Sequence, residues 1–209
     1  MKVGIYRGKG AAQKSADAIS EVLSEKWEVA EFWDDLPPVD VLVIGGGSAS
    51  EIASSLGRET LNLVERSVKS GSVGYVGICA GAYLAIEGYW TDKTLTGEIV
   101  LLNAHHPDID RWNRGKGWVK VRLTGWLGSG AVDMWYENGP LFFGEGYEIL
   151  GVFEGDVNEI GSPVSMKGSP AIVHAPGVVL FSPHPEFSGE IGRWLLIEAV
   201  RRVSYEITA

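Results

Sequence analysis

Two apolar runs limit the folds open to this chain. Residues 39–44 read Val-Asp-Val-Leu-Val-Ile and end in Gly45-Gly46-Gly47, and residues 73–78 read Val-Gly-Tyr-Val-Gly-Ile and end at Cys79. Near-continuous runs of this length are typical of strands covered on both faces, as in a parallel sheet. Between them, residues 51–69 carry Ile52, Leu56, Leu63 and Val64 at helical spacing, and Ser70-Gly71-Ser72 breaks the pattern. Parallel strands need such a crossover. The chain opens the same way, with a strand at 2–6, a glycine turn, a helix carrying Ala16, Ile19, Leu23 and Trp27, and a strand at 29–33. The alternation predicts a three-layer α/β domain with helices on both faces of a mostly parallel central sheet. Ligands in such sheets bind beyond the carboxyl ends of the strands.

From about Gly88 the texture changes to short strand-like runs at 119–123, 132–136, 147–153 and 171–174, separated by glycine-rich turns. These predict an added antiparallel portion. A last strand at 177–182 leads into Pro183-His184-Pro185-Glu186, and Ser188 is placed to cap a closing helix with Ile191, Leu195, Ala199 and Val203. With 209 residues and no repeat or linker, one domain over 1–209 is expected.

Acidic residues outnumber basic ones 27 to 18, and a formal charge of −9 repels phosphate backbones, which argues against a nucleic-acid partner. No run approaches the roughly eighteen apolar residues of a membrane span, and the amino terminus lacks the apolar stretch of a signal peptide, so a cytoplasmic location off the membrane is expected. The single cysteine, Cys79, can form no internal disulfide and is too few for a thiolate metal cage. His105, His106, Asp108 and Asp110 match no standard metal spacing, because adjacent histidines do not readily share one tetrahedral ion. Neither metal nor cofactor is expected. Trp112, Trp118, Trp126, Trp135 and Tyr136 suit either core anchoring or the lining of a cleft.

The chemistry centres on Gly77-Ile78-Cys79-Ala80-Gly81, which follows a strand and opens a helix predicted over 82–87. This is the layout of a nucleophile elbow with cysteine in the serine position. Small neighbours let substrate and chain approach closely, and a helix amino terminus favours negative charge on a thiol that solvent can reach. A lone cysteine is more often a small buried hydrophobe. The second motif shifts that balance, because His184 and Glu186, two residues apart on an extended chain, point to one side, and Pro185 keeps His184 out of the helical region. His184 then serves as base toward Cys79, with Glu186 as its orienting carboxylate. The backbone N–H groups of Gly46, Gly47 and Ala80 are the candidate oxyanion donors. A dinucleotide site at Gly45, Gly47 and Ser50 lacks the final glycine and the acidic partner of that fingerprint.

With these motifs the chain resembles class I glutamine amidotransferase domains, and more closely the stand-alone amino-terminal domain of biotin-protein ligases. The second likeness rests on Tyr6-Arg7-Gly8-Lys9-Gly10, the Gly45–Gly47 loop, the segment from Gly77 to Tyr83, Trp135-Tyr136-Glu137-Asn138-Gly139-Pro140 and His184-Pro185-Glu186. The resemblance implies a flavodoxin-like core and carries the nucleophile onto Cys79, the base onto His184 and the carboxylate onto Glu186. Working glutamine amidotransferases usually have glutamine four residues after the nucleophile, where this chain has Tyr83, so little glutaminase activity is expected. The expected partners are a small amide or ester substrate and a possible partner enzyme. The alternative is a noncatalytic module that keeps the fold to bind a small ligand or to regulate. No biotinylation is expected.

Overall fold

The computed structural model describes residues 1–91, 94–106, 115–157 and 165–207; Asp108, Asp110 and Trp112 fall outside the described residues. The chain opens with β1 (Lys2–Tyr6), α1 (Gln13–Ser24) and β2 (Glu28–Phe32), then β3 (Val41–Ile44), α2 (Ala49–Lys69), β4 (Gly74–Ile78) and α3 (Ala80–Ala85). Shorter strands follow: β5 (Ile86–Thr91), β6 (Thr94–Thr96), β7 (Leu102–His105), β8 (Lys116–Leu123), β9 (Gly130–Glu137), β10 (Phe143–Gly144), β11 (Glu148–Phe153), β12 (Pro170–Ala175) and β13 (Val178–Phe181). After them comes α4 (Gly189–Glu206).

The nine-stranded sheet has the order β2-β1-β3-β4-β13-β12-β11-β8-β9. Its first five strands are parallel, and from β13 onward each pair is antiparallel. The predicted parallel core and antiparallel portion are thus two halves of one sheet. The chain also forms a four-stranded sheet, β10-β7-β5-β6, that the sequence pattern did not announce. Alternate residues of the parallel strands feed two cores, as their period of two requires. Val3, Ile5, Val41, Val43, Val76 and Ile78 pack with Ile19 and Leu23 of α1 and Leu195, Ala199 and Val203 of α4. Leu42, Ile44, Tyr75 and Leu180 pack with Ile52, Leu56 and Val64 of α2.

Several sequence expectations are corrected at residue level. Trp27 lies past the end of α1 and covers the core from the following turn. The helix of residues 49–69 is kinked at Gly57, whose φ of 72° no helix interior allows. The kink resets the helical phase, so Leu61, Val64 and Val68 face inward and Leu63 is exposed. Ile191 is likewise exposed at the start of α4. The elbow helix begins at Ala80 and is over by Ile86, where the backbone becomes extended. Among the described residues no helix is long and apolar enough to cross a membrane.

Candidate active site

Three neighbouring parallel strands, β3, β4 and β13, deliver the candidate residues at their carboxyl ends. Register places Ile44 beside Gly77 and Phe181 beside Ile78. The residues that follow these strands, Gly45–Gly47, Cys79 and Ser182–His184, therefore emerge together at the end where such sheets bind ligands.

Cys79 has φ 51° and ψ −101°, a region that costs a non-glycine residue about 1–3 kcal/mol and persists only where its surroundings enforce it. The surroundings are tight. Cys79 N–H donates to Phe181 O at 2.9 Å and Gly81 N–H to Gly45 O at 3.1 Å, while the buried Tyr75 hydroxyl donates to Gly81 O at 2.7 Å. A Cβ on Gly81 would lie 2.0 Å from Ile44 O, and one on Gly77 would lie 2.7 Å from Gly81 O. Both glycines are what lets the elbow helix sit against the strand ends.

The thiol is less open than the motif suggested. Cys79 is 7% exposed, and its Sγ donates to Glu137 O at 3.4 Å, at the end of β9. The turn after β9 also accepts the Tyr83 hydroxyl, at Asn138 O and 3.1 Å. Asn138 takes φ 50°, and its side chain accepts from Gly115 N–H at 2.8 Å. The Trp135–Pro140 segment singled out in the sequence therefore lies across the elbow.

His184 and Glu186 are brought together, with Nδ1 2.9 Å from Glu186 Oε1 and both side chains almost entirely buried. The ring rests against the glycine loop, since a Cβ on Gly46 would lie 2.7 Å from His184 Cε1, and Phe187 stacks on it at 5.6 Å between ring centroids. The free edge of β9 holds the backbone: His184 N–H donates to Trp135 O at 2.7 Å, and Trp135 N–H donates to Ser188 Oγ at 3.0 Å. Ser188 precedes α4 as expected but does not cap it: its oxygen accepts from Trp135 N–H and its hydroxyl donates to His184 O. The antiparallel half of the sheet thus curls until its last strand meets the loop that carries the histidine.

Burial of the His184 ring works against the imidazolium. The Glu186 carboxylate, hydrogen-bonded to Nδ1, and after it the neighbouring Cys79 sulfur outweigh it and hold the His184 pKa well above its usual value. His184 Nε2 is buried without a hydrogen-bond partner among the described residues, as is Glu186 Oε2. The thiol is directed at the Glu137 carbonyl instead.

Ser15, on the first turn of α1, was not singled out in the sequence. Its Oγ accepts from Gly46 N–H at 3.0 Å and donates to Glu186 Oε1 at 2.6 Å. The Gly46 N–H is therefore engaged, which removes it from the candidate oxyanion donors. The N–H groups of Gly47 and Ala80 donate to nothing among the described residues. The loop that presents Gly47 is fixed by Ala12 N–H to Gly46 O and Ser48 N–H to Gly10 O, both at 2.8 Å.

His106 is buried, accepts from Leu141 N–H at 3.0 Å through Nδ1, and meets the Tyr83 ring edge-on, so it belongs to the wall behind Tyr83. His105 lies on β7 near Phe143. Among the described residues no three His, Cys, Asp or Glu side chains gather as a metal would require. Trp118 and Trp135 meet edge to face at 5.8 Å on the outer side of the β8–β9 pair, Tyr136 is buried, and Trp126 packs at the far end of β12 against His174.

No family profile matches the chain, and no curated protein does. Solved structures do. A glutamine amidotransferase superposes with a TM-score of 0.68 at 21% identity, over 95% of this chain and 98% of that one. Another glutamine amidotransferase, from Thermotoga maritima, gives 0.58 at 15% identity, over 100% of this chain and 94% of that one. A β-galactosidase from Bacillus circulans gives 0.58 at 13% identity, over 99% of this chain but 31% of that one. One fold thus recurs in proteins of unlike chemistry, and the likeness fixes architecture rather than reaction. The chain has a mixed α/β, flavodoxin-like fold that resembles those of glutamine amidotransferases.

Proposed function

We propose that the chain is a thiol-dependent hydrolase or amide-transfer enzyme acting on a small amide or ester. The supporting observation is the buried His184–Glu186 pair set beside Cys79 at the ends of adjacent parallel strands. In this reading His184 Nε2 takes the Cys79 proton and the sulfur attacks the substrate carbonyl carbon, forming a C–S bond. The displaced π electrons collect on oxygen, facing the N–H groups of Gly47 and Ala80. Collapse of that intermediate breaks the bond to the leaving amine or alcohol, which receives the proton from His184. Water or an acceptor amine then attacks the thioester, giving its proton to His184; the C–S bond breaks and His184 returns that proton to the departing Cys79 sulfur. Glu186 keeps the ring oriented and offsets its charge. The finer likeness to the amino-terminal domain of biotin-protein ligases belongs to the same proposal and rests on the motifs quoted above.

Cys79 is the chain's only thiol, so intact-protein mass spectrometry reads its alkylation directly. Iodoacetamide is expected to label native protein at neutral pH, and His184→Ala to slow that labelling roughly tenfold or more, because the proton acceptor is gone. Labelling that waits for unfolding, or that ignores His184, would overturn the thiol reading. A library of small amides and esters, with Cys79→Ala as control, then gives the substrate class.

A second reading is favoured by Tyr83, whose hydroxyl is tied across the elbow at the position glutamine usually holds. There the protein is a noncatalytic binding or regulatory module. Both readings expect no ammonia release from glutamine above background by the isolated protein, and robust release would show that Tyr83 does not exclude that substrate.

A further inference from the structure

Glu186 is held in an unusual way. Its side chain is fully buried, its Oε2 has no hydrogen-bond partner among the described residues, and its Oε1 takes two donors, His184 Nδ1 and the Ser15 hydroxyl. Removing Ser15 would leave the carboxylate held only by the ring it is meant to orient. A serine in the first turn of a helix commonly bonds its own backbone. Ser15 instead turns inward, 1% exposed, and Gly46 N–H occupies a lone pair on its oxygen, which leaves the hydroxyl proton for Glu186. The glycine loop makes room for this, since a Cβ on Gly45 would lie 2.6 Å from Ser15 Oγ.

We infer that Ser15 is a positioning residue, fixing Glu186 Oε1 on His184 Nδ1 and linking that pair to the backbone of the glycine loop. The inference rests on the thiol reading above and adds a fourth side chain to it. Ser15 touches neither the thiol nor the carbonyl to be attacked, so its effect must pass through Glu186.

The test is a double-mutant cycle on the rate of Cys79 alkylation at neutral pH. Ser15→Ala is expected to slow labelling about tenfold, the scale of one hydrogen bond to a charged group, and Ser15→Thr, which keeps the hydroxyl, to recover most of the rate. In a Glu186→Gln background Ser15→Ala should change the rate less than twofold, because the two act in series. Full additivity, or a melting temperature lowered by Ser15→Ala with an unchanged alkylation rate, would make Ser15 a packing residue only and overturn the inference. If Ser15→Ala does not fold, Ser15→Cys keeps the size with a weaker donor, and Cys79 labelling is read by peptide mapping. Partial slowing there supports the inference and an unchanged rate overturns it. A normal rate in His184→Ala sinks the thiol reading itself; slowing there but not in Ser15→Ala sinks the Ser15 role alone.

Discussion

Gly81→Ala is expected to lower stability by about 3 kcal/mol, at the upper end of the cost of overpacking a core. Helix propensity pulls the other way, since Ala in a helix interior is favoured over Gly by about 1 kcal/mol. Geometry decides the sign. The new Cβ would sit 2.0 Å from the carbonyl oxygen of Ile44, a backbone atom of a central strand that no rotamer change can move aside. The elbow must lift away from β3, weakening the Gly81 N–H to Gly45 O bond and the Tyr75 hydroxyl bond to Gly81 O. For a domain of this size the loss corresponds to a melting temperature lower by about 6–12 °C. Gly57→Ala is the comparison, because its Cβ meets nothing within 4 Å and only its backbone conformation, φ 72° and ψ 162°, is penalised, by about 1–3 kcal/mol. Equal stability of Gly81→Ala and the parent would mean that the helix–strand approach is looser than described.

What the sequence disclosed follows from how locally each feature is encoded. The strands at 41–44 and 74–78 were legible, to within two residues, because a doubly covered strand must be apolar throughout, whatever it packs against. The break at Gly57 was not, because glycine inside a helical pattern is tolerated as often as it kinks, and only the inward turn of Leu61 in place of Leu63 distinguishes the two. The pairing of His184 with Glu186 could be read from a spacing of two. Ser15 could not, since it lies 171 positions from Glu186, and a serine entering a helix has an ordinary local explanation. The same contact decides among the glycines: three consecutive N–H groups look alike in sequence, and the partner of one of them lies on α1. The limited exposure of Cys79 depends on a turn between β9 and β10, and no pattern around the cysteine could signal that cover.

Stability of the parent protein is expected to fall as pH rises above about 6.5, and His184→Asn is expected to remove most of that slope. The unfolded chain titrates this ring near its usual value of about 6.5. In the folded chain burial opposes the charged ring, but the Glu186 carboxylate, foremost, prevails and holds its pKa well above that while Cys79 stays a thiol directed at Glu137 O. Between the two values the folded state keeps a proton that the unfolded state has released, so linkage makes stability fall with rising pH, by up to about 1.4 kcal/mol per pH unit for one group. The stabilisation is therefore complete below the unfolded value and gone above the folded one. Glu186→Gln should narrow the window, because the strongest influence raising the ring's pKa is lost while burial remains. Urea melts at intervals from pH 6 to pH 9 on the parent, His184→Asn and Glu186→Gln give the three slopes, and the slopes rather than the absolute stabilities carry the comparison. Parallel curves for the parent and His184→Asn would mean that His184 stays neutral in the resting protein. The proton would then pass from Cys79 to His184 only when substrate enters.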